Sequence, residues 1–348
     1  MKIKINNNLI VSNNSKPLLI AEISANHNGS KKKFLNHILQ AKQNGADLVK
    51  IQTYEPQDMI IDKNFKIKKG LWKNKKLWKL YEEAMTPFEW HYDAFKLAKK
   101  KGIELFSTPF SVRAVKFLKQ FKPKIYKIAS FEMTDLNLVK KISQTKKPII
   151  ISTGMANLDE ISATVKTARR NGAKEITLLY CVSNYPSDID DFNLKNIEIL
   201  KKKFKCRVGI SDHSKDNRVA IAAIASGAEV IEKHIALDNQ KKGFDINFSL
   251  KGKEIKKLRE DINIAFKLLG KNFFYRNKSE DKSKIFRRSI FAIKNIKKGD
   301  KFSKDNIRVI RPGHGLEPKY FNQILNKKSP INILKHEPIK SLVTKKIL

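Results

Sequence analysis

The feature that most constrains this chain is an alternation of texture. Between Pro17 and about Gly270, short apolar runs take turns with amphipathic stretches of helical spacing. The runs, rich in Ile, Val and Leu, read as buried strands. Eight are expected: Leu18–Ile23, Leu48–Thr53, Ile103–Ser107, Ile125–Ala129, Ile149–Ser152, Ile176–Cys181, Arg207–Ile210 and Val230–His234. Between the fifth and sixth, Leu158, Ile161, Val165 and Ala168 share one helix face. Asn157 with Glu160 forms a capping box ahead of them, and Gly172 supplies a stop. Eight βα units in roughly 250 residues have the dimensions of a (β/α)8 TIM barrel, an α/β fold. The barrel is expected over 1–275, followed by a polar linker over 276–287 and a small domain of short strands and turns over 288–348. One long interruption, Glu55 to Thr86, follows the second strand, and a loop of that length is more often functional than idle.

Composition narrows the class. The formal charge of +38 invites a nucleic-acid reading. Its distribution argues against one: lysine runs such as Lys31–Lys33, Lys99–Lys101 and Lys201–Lys203 are scattered along expected helix surfaces, and arginine, the main base reader, is scarce. The expectation is a solvated lysine-rich surface and no nucleic-acid partner. No apolar run approaches the roughly 18 residues of a membrane span. The first residues lack an apolar signal core, and two cysteines make no disulfide framework, so a cytoplasmic protein is expected.

A barrel of this kind carries its chemistry where strands end. Read in order, those ends offer Glu22, Ser24, Asn26 and His27; Lys50 and Gln52; Ser107 and Thr108; Lys127 and Ser130; Ser152 and Thr153; Ser183, Asn184 and Tyr185; Ser211, Asp212 and His213; then Glu232 and His234. Lys50 and Lys127 lie within or just after apolar runs, where a charge is costly unless it meets a counter-ion. With neighbouring hydroxyls they would form a phosphate or carboxylate pocket. His213 and His234 end consecutive strands, and Glu232 shares a strand face with His234. Two imidazoles and a carboxylate could hold a divalent metal that polarises a carbonyl. Lys127 could instead serve as a Schiff-base lysine. Cys181, with no evident base beside it, reads as packing.

The words around these positions carry a resemblance. Ile20-Ala21-Glu22-Ile23-Ser24-Ala25-Asn26-His27, Val49-Lys50-Ile51-Gln52-Thr53, Phe106-Ser107-Thr108-Pro109-Phe110, Tyr126-Lys127-Ile128-Ala129-Ser130, Ile151-Ser152-Thr153-Gly154-Met155, Gly209-Ile210-Ser211-Asp212-His213 and Ile231-Glu232-Lys233-His234 resemble the motifs of the sialic acid synthase family. Arg288 through Arg311-Pro312-Gly313-His314-Gly315 resembles that family's C-terminal antifreeze-like (SAF) domain. Gly70-Leu71-Trp72-Lys73, Leu80-Tyr81-Glu82-Glu83-Ala84 and Glu89-Trp90-His91 are similar to the insertion of its pseudaminic acid branch, from which Met85 and Asn184 depart.

The resemblance implies a transferase that condenses phosphoenolpyruvate with an acetamido sugar. It implies phosphoenolpyruvate contacts from Lys50, Thr108, Lys127, Ser130, Ser152, Ser183, Tyr185 and Ser211. His213 and His234 would hold Mn2+ or Mg2+, assisted by Glu232 directly or through water. Glu22, Gln52 and Asp245 would meet the sugar. Arg311 would reach the barrel mouth of the partner in a domain-swapped homodimer.

Overall fold

The computed structural model describes residues 3–5, 8–11, 16–68, 70, 72–271 and 273–344. The chain divides into two compact units, Met1–Gly270 and Lys271–Leu348. A short antiparallel hairpin, Ile3–Ile5 with Asn8–Val11, opens the first. Eight parallel strands follow: β1 (Leu18–Glu22), β2 (Leu48–Thr53), β3 (Glu104–Pro109), β4 (Tyr126–Ile128), β5 (Ile149–Ser152), β6 (Ile176–Cys181), β7 (Arg207–Asp212) and β8 (Val230–Ala236). Each pairs with the next, and β8 closes the ring on β1. Helices α1 (Lys31–Gln43), α2 (Phe88–Lys101), α3 (Val112–Leu118), α4 (Leu136–Ser143), α5 (Leu158–Arg170), α6 (Lys195–Phe204), α7 (Arg218–Ala225) and α8 (Lys253–Leu269) follow the strands in turn. This is the expected TIM barrel. The capping box of Asn157 and Glu160 forms at the start of α5. The lysine runs at 31–33, 99–101 and 201–203 are exposed.

Strand parity sorts the barrel residues. Leu18, Ile20, Leu48, Phe106, Ile125, Ile150, Leu179 and Val230 form one buried cluster that fills the ring from within. Their odd-even partners, such as Leu19, Val49, Leu105, Tyr126, Ile151, Leu178 and Ile231, belong to a second cluster that packs the helices. Gly209 fits because a Cβ there would lie 2.1 Å from the Val230 carbonyl oxygen. Continuing the inner parity one step along each strand gives Glu22, Lys50, Thr108, Lys127, Ser152, Cys181, Ser211 and Glu232, all buried. An apolar floor therefore carries a polar layer above it.

Three strands run beyond their expected ends. β3 reaches Pro109 and β7 reaches Asp212 because parallel pairing continues past the last apolar residue, and β8 reaches Ala236 by pairing Ile235 and Ala236 with Leu250 and Lys251. The 55–86 interruption is not bare loop: it holds one helical turn, Pro56–Met59, and an insertion helix, Leu77–Ala84.

The second unit has its own core, with Ile290, Ile296, Phe302, Ile307, Leu316, Ile324, Ile333 and Ile339 all buried. Its strands β9 (Ser289–Ala292) and β10 (Ile307–Ile310) pair antiparallel. The polar stretch before them contains a 3-10 helix, Lys278–Phe286. Among the described residues, no helix is long and apolar enough to cross a membrane.

Candidate active site

The carboxyl ends of the strands open onto a cavity of about 340 Å³. Its depth is a buried charge cluster. Lys50 Nζ lies 3.2 Å from both Glu22 Oε2 and Glu232 Oε1, and Lys127 Nζ lies 3.5 Å from the same Glu232 oxygen. Strand register produces this: Glu22 pairs with Lys50 across β1 and β2, and with His234 across β1 and β8. Ser211 Oγ donates to Glu232 Oε1 at 3.0 Å, and Lys127 donates to Ser152 Oγ at 2.7 Å. Gln52 donates to Glu22 Oε1 and Ser24 Oγ, both at 3.1 Å.

The two lysines answer burial differently. Burial alone would lower Lys50, but the carboxylates of Glu22 and Glu232 outweigh it and hold the ammonium above its usual range. Burial outweighs the more distant Glu232 carboxylate at Lys127, and Lys50 adds repulsion, so its pKa falls to about 8. Glu232 is held below the usual carboxylate range: burial opposes ionisation, and both lysines overcome it.

Above this cluster the imidazoles of His213 and His234 converge, with ring centroids 5.3 Å apart. His213 Nδ1 lies 3.1 Å from the Val182 carbonyl oxygen. His234 Nδ1 lies 3.3 Å from Asp245 Oδ2 without hydrogen-bond geometry, and neither atom has another partner. The Val182 contact leaves the His213 Nε2 lone pair free for a metal, and the Asp245 carboxylate beside Nδ1 favours the same tautomer in His234. Asn26 fixes the segment that carries Asp245. Its amide donates to Ile235 O and Ser249 Oγ at 2.8 Å, and its Oδ1 accepts from the Asp245 N–H at 3.2 Å.

Glu232, expected to assist a metal directly or through water, turns its carboxylate towards other partners in this structure. Among the described residues no group of three or more His, Cys, Asp or Glu side chains is assembled to hold a metal. The Glu232 carboxylate turns to Lys50, Lys127 and Ser211, the stronger partners available at its depth in the barrel. The two imidazoles remain beside one another at the mouth of the cluster, with Asp245 Oδ2 against Nδ1 of His234.

Of the remaining expected residues, Ser130, Ser183 and Tyr185 line the cavity, whereas Thr108 is buried beneath it with an unpartnered hydroxyl. The Tyr185 ring lies 4.5 Å from that of His213. Arg311 belongs to the second unit, where it is exposed just past β10. Two groups escaped the sequence reading. Glu132 lines the cavity with Oε2 buried and unpartnered, and burial raises its carboxyl to about 7. Cys181 does have an imidazole beside it: its Sγ lies 3.9 Å from His213 Nδ1. Burial pushes the thiol up, but His213 brings it down to about 7.

Gly154 ties two of the serines together. Its N–H donates to Ser130 Oγ at 3.1 Å, and a Cβ would lie 2.1 Å from Ser183 Oγ and 2.9 Å from Ser130 Oγ. Gly154→Ala is expected to displace both hydroxyls and lower kcat/KM by roughly 100-fold, as a misplacement of about 1 Å does. Steady-state kinetics checks this, with unfolding curves as the control.

The comparisons with known proteins fall in line with this geometry. Residues 37–273 match the NeuB family model. The chain belongs to the NeuB family. Residues 287–341 match the SAF domain. A pseudaminic acid synthase of Campylobacter jejuni is 43% identical over 321 residues, covering 91% of this chain and 94% of that protein. An N,N'-diacetyllegionaminic acid synthase of the same organism is 38% identical, covering 93% of this chain and 99% of that protein. Among solved structures, the N-acetylneuraminic acid synthetase of Leptospira borgpetersenii superposes with a TM-score of 0.73 at 31% identity, covering 81% of this NeuB family chain and 95% of the other.

Proposed function

We propose that this chain is a pseudaminic acid synthase, joining phosphoenolpyruvate to 2,4-diacetamido-2,4,6-trideoxy-L-altrose with release of phosphate. The observation that carries the reading is a buried lysine pair beside two converging imidazoles, in a chain 43% identical to a pseudaminic acid synthase. A legionaminic acid synthase is the second reading, supported by the relative at 38% identity.

Lys50 and Lys127, with Ser130, Ser152, Ser183 and Ser211, hold the phosphate and carboxylate. The formal charges of Glu22, Glu232, Lys50 and Lys127 cancel, so an anionic substrate calls for further positive charge. His213 and His234 would hold that charge as Mn2+ or Mg2+, which supplies Lewis acidity toward the sugar's aldehyde. C3 of phosphoenolpyruvate attacks the aldehyde carbon, water adds to C2, and the C–O bond to phosphate breaks. Glu132, near-neutral in pKa and lining the cavity, is placed to give or take the proton. Glu22, fully buried and bound by Lys50 and Gln52, orients them. Tyr185 stands with the phosphoenolpyruvate contacts, Gln52 and Asp245 border the sugar, and Arg311 of a partner in a cytoplasmic homodimer completes the mouth.

The test mixes the protein with phosphoenolpyruvate, Mn2+ and a panel of acetamido sugars. Phosphate release with the altrose derivative, lost in chelator, supports the reading. Release with N-acetylmannosamine alone overturns the sugar and keeps the family. Borohydride trapping of Lys127 with substrate would point to Schiff-base chemistry. The pH dependence has a stated sign. Anion binding needs the Lys127 ammonium, which is lost as pH rises through about 8. KM for phosphoenolpyruvate is therefore expected to be flat below pH 8 and to climb up to about tenfold per unit above it. A flat profile to about pH 9.5 would remove Lys127 from anion binding.

A further inference from the structure

The polar groups of the cavity come from the barrel strands and the segments that follow them. The insertion contributes a different surface. Met59, Ile67, Leu77, Leu80 and Ala84 line the cavity from residues 56–86, and the polar atoms available there are those of Trp72 and Tyr81. Leu77, Leu80 and Ala84 stand at i, i+3 and i+7 of the insertion helix, one face of it, while Lys79, Glu82 and Glu83 are exposed. The helix thus turns its apolar face to the cavity and its charges to water. The wall is therefore available to the far end of a substrate whose reacting end lies over the lysines and imidazoles.

Building on the synthase reading above, we infer that Leu77, Leu80 and Ala84 are specificity-determining residues that receive a methyl group at the far end of the sugar, in place of a hydroxymethyl. A hydroxyl there would lose its water and find no partner on the aliphatic face. An apolar pocket rejects an added hydroxyl by about 10- to 100-fold, and that is the discrimination expected here.

The experiment compares kcat/KM, by phosphate release, for 2,4-diacetamido-2,4,6-trideoxy-L-altrose and its 6-hydroxy counterpart. The wild type should prefer the deoxy sugar by about 10- to 100-fold. Leu80→Asn and Ala84→Ser should each shrink that ratio several-fold, mainly by lowering the deoxy rate or raising the hydroxy rate. Ala84→Ser, a small change on a half-buried site, keeps the test valid if Leu80→Asn unfolds. A wild-type ratio near one, or a ratio unmoved in a folded variant, overturns the inference and leaves the synthase reading intact. No phosphate release with either sugar, or with any other acetamido sugar, brings down both.

Discussion

Replacing Lys50 with methionine is expected to lower kcat/KM by at least about 1,000-fold, the largest catalytic loss of any single change in the cavity. The expectation rests on the company Lys50 keeps. Its ammonium is shared between Glu22 and Glu232, 3.2 Å from each, in a buried layer at the depth of the cavity. Methionine keeps most of the volume and removes the charge. Two carboxylates then share the barrel interior with Lys127 alone, which reaches only Glu232. The substrate anion meets a site that has turned from neutral to net negative. Stability falls with activity, since removing one partner of a buried ion pair costs about 3–5 kcal/mol. The two losses can be separated. Adding Glu22→Gln to Lys50→Met removes the stranded charge and should restore a good part of the unfolding free energy, while phosphate release stays lost. Urea unfolding followed by tryptophan fluorescence reads the first quantity, because Trp72, Trp78 and Trp90 all lie in the first unit. Recovery of turnover in the double variant would show that Lys50 only neutralises carboxylates and does not bind the anion.

Much of this arrangement was legible in the sequence, because a strand repeats every two residues. Lys50 with Gln52, and Glu232 with His234, are marked as inward pairs by that spacing alone, and the apolar residue two before each sets the floor beneath it. What spacing does not give is depth. Glu232 pairs in register with Ile20 and Ser211, one layer below His234, which pairs with Glu22. That layer difference sends its carboxylate to the lysines and away from the imidazoles. Glu132 was missed for a related reason: it lies in the turn after β4, outside any strand period, and becomes conspicuous only when its buried oxygen is found without a partner. The proximity of Cys181 to His213 likewise depends on how the loop after β7 folds over β6, which no local pattern encodes. The insertion helix did leave a trace in the Leu77, Leu80, Ala84 spacing, but a two-turn helix is too short for periodicity to separate it from loop.

The same parity places Lys233 on the opposite side of β8 from Glu232 and His234, and there its role is to hold the site from behind. Lys233 is 1% exposed and donates to Asp212 Oδ2 at 2.8 Å, the Ser214 carbonyl at 2.6 Å and Ser214 Oγ at 3.2 Å. Asp212 Oδ1 in turn accepts the Ser214 N–H at 2.8 Å. One ammonium therefore clamps both residues that flank His213. Lys233→Met is expected to destabilise the barrel by about 3–5 kcal/mol, because Asp212 is left buried without its cation. kcat/KM should fall by roughly 100-fold even where the protein is folded, since His213 loses the loop that positions it. Asp212→Asn added to Lys233→Met keeps an oxygen for the Ser214 N–H and removes the stranded charge. If the clamp is electrostatic, that double variant regains stability but not activity, and a double-mutant cycle on unfolding gives a coupling of about 1–3 kcal/mol. A Lys233→Met protein with unchanged unfolding midpoint and turnover would mean that the loop holds its shape through packing alone, with the ion pair contributing nothing to it.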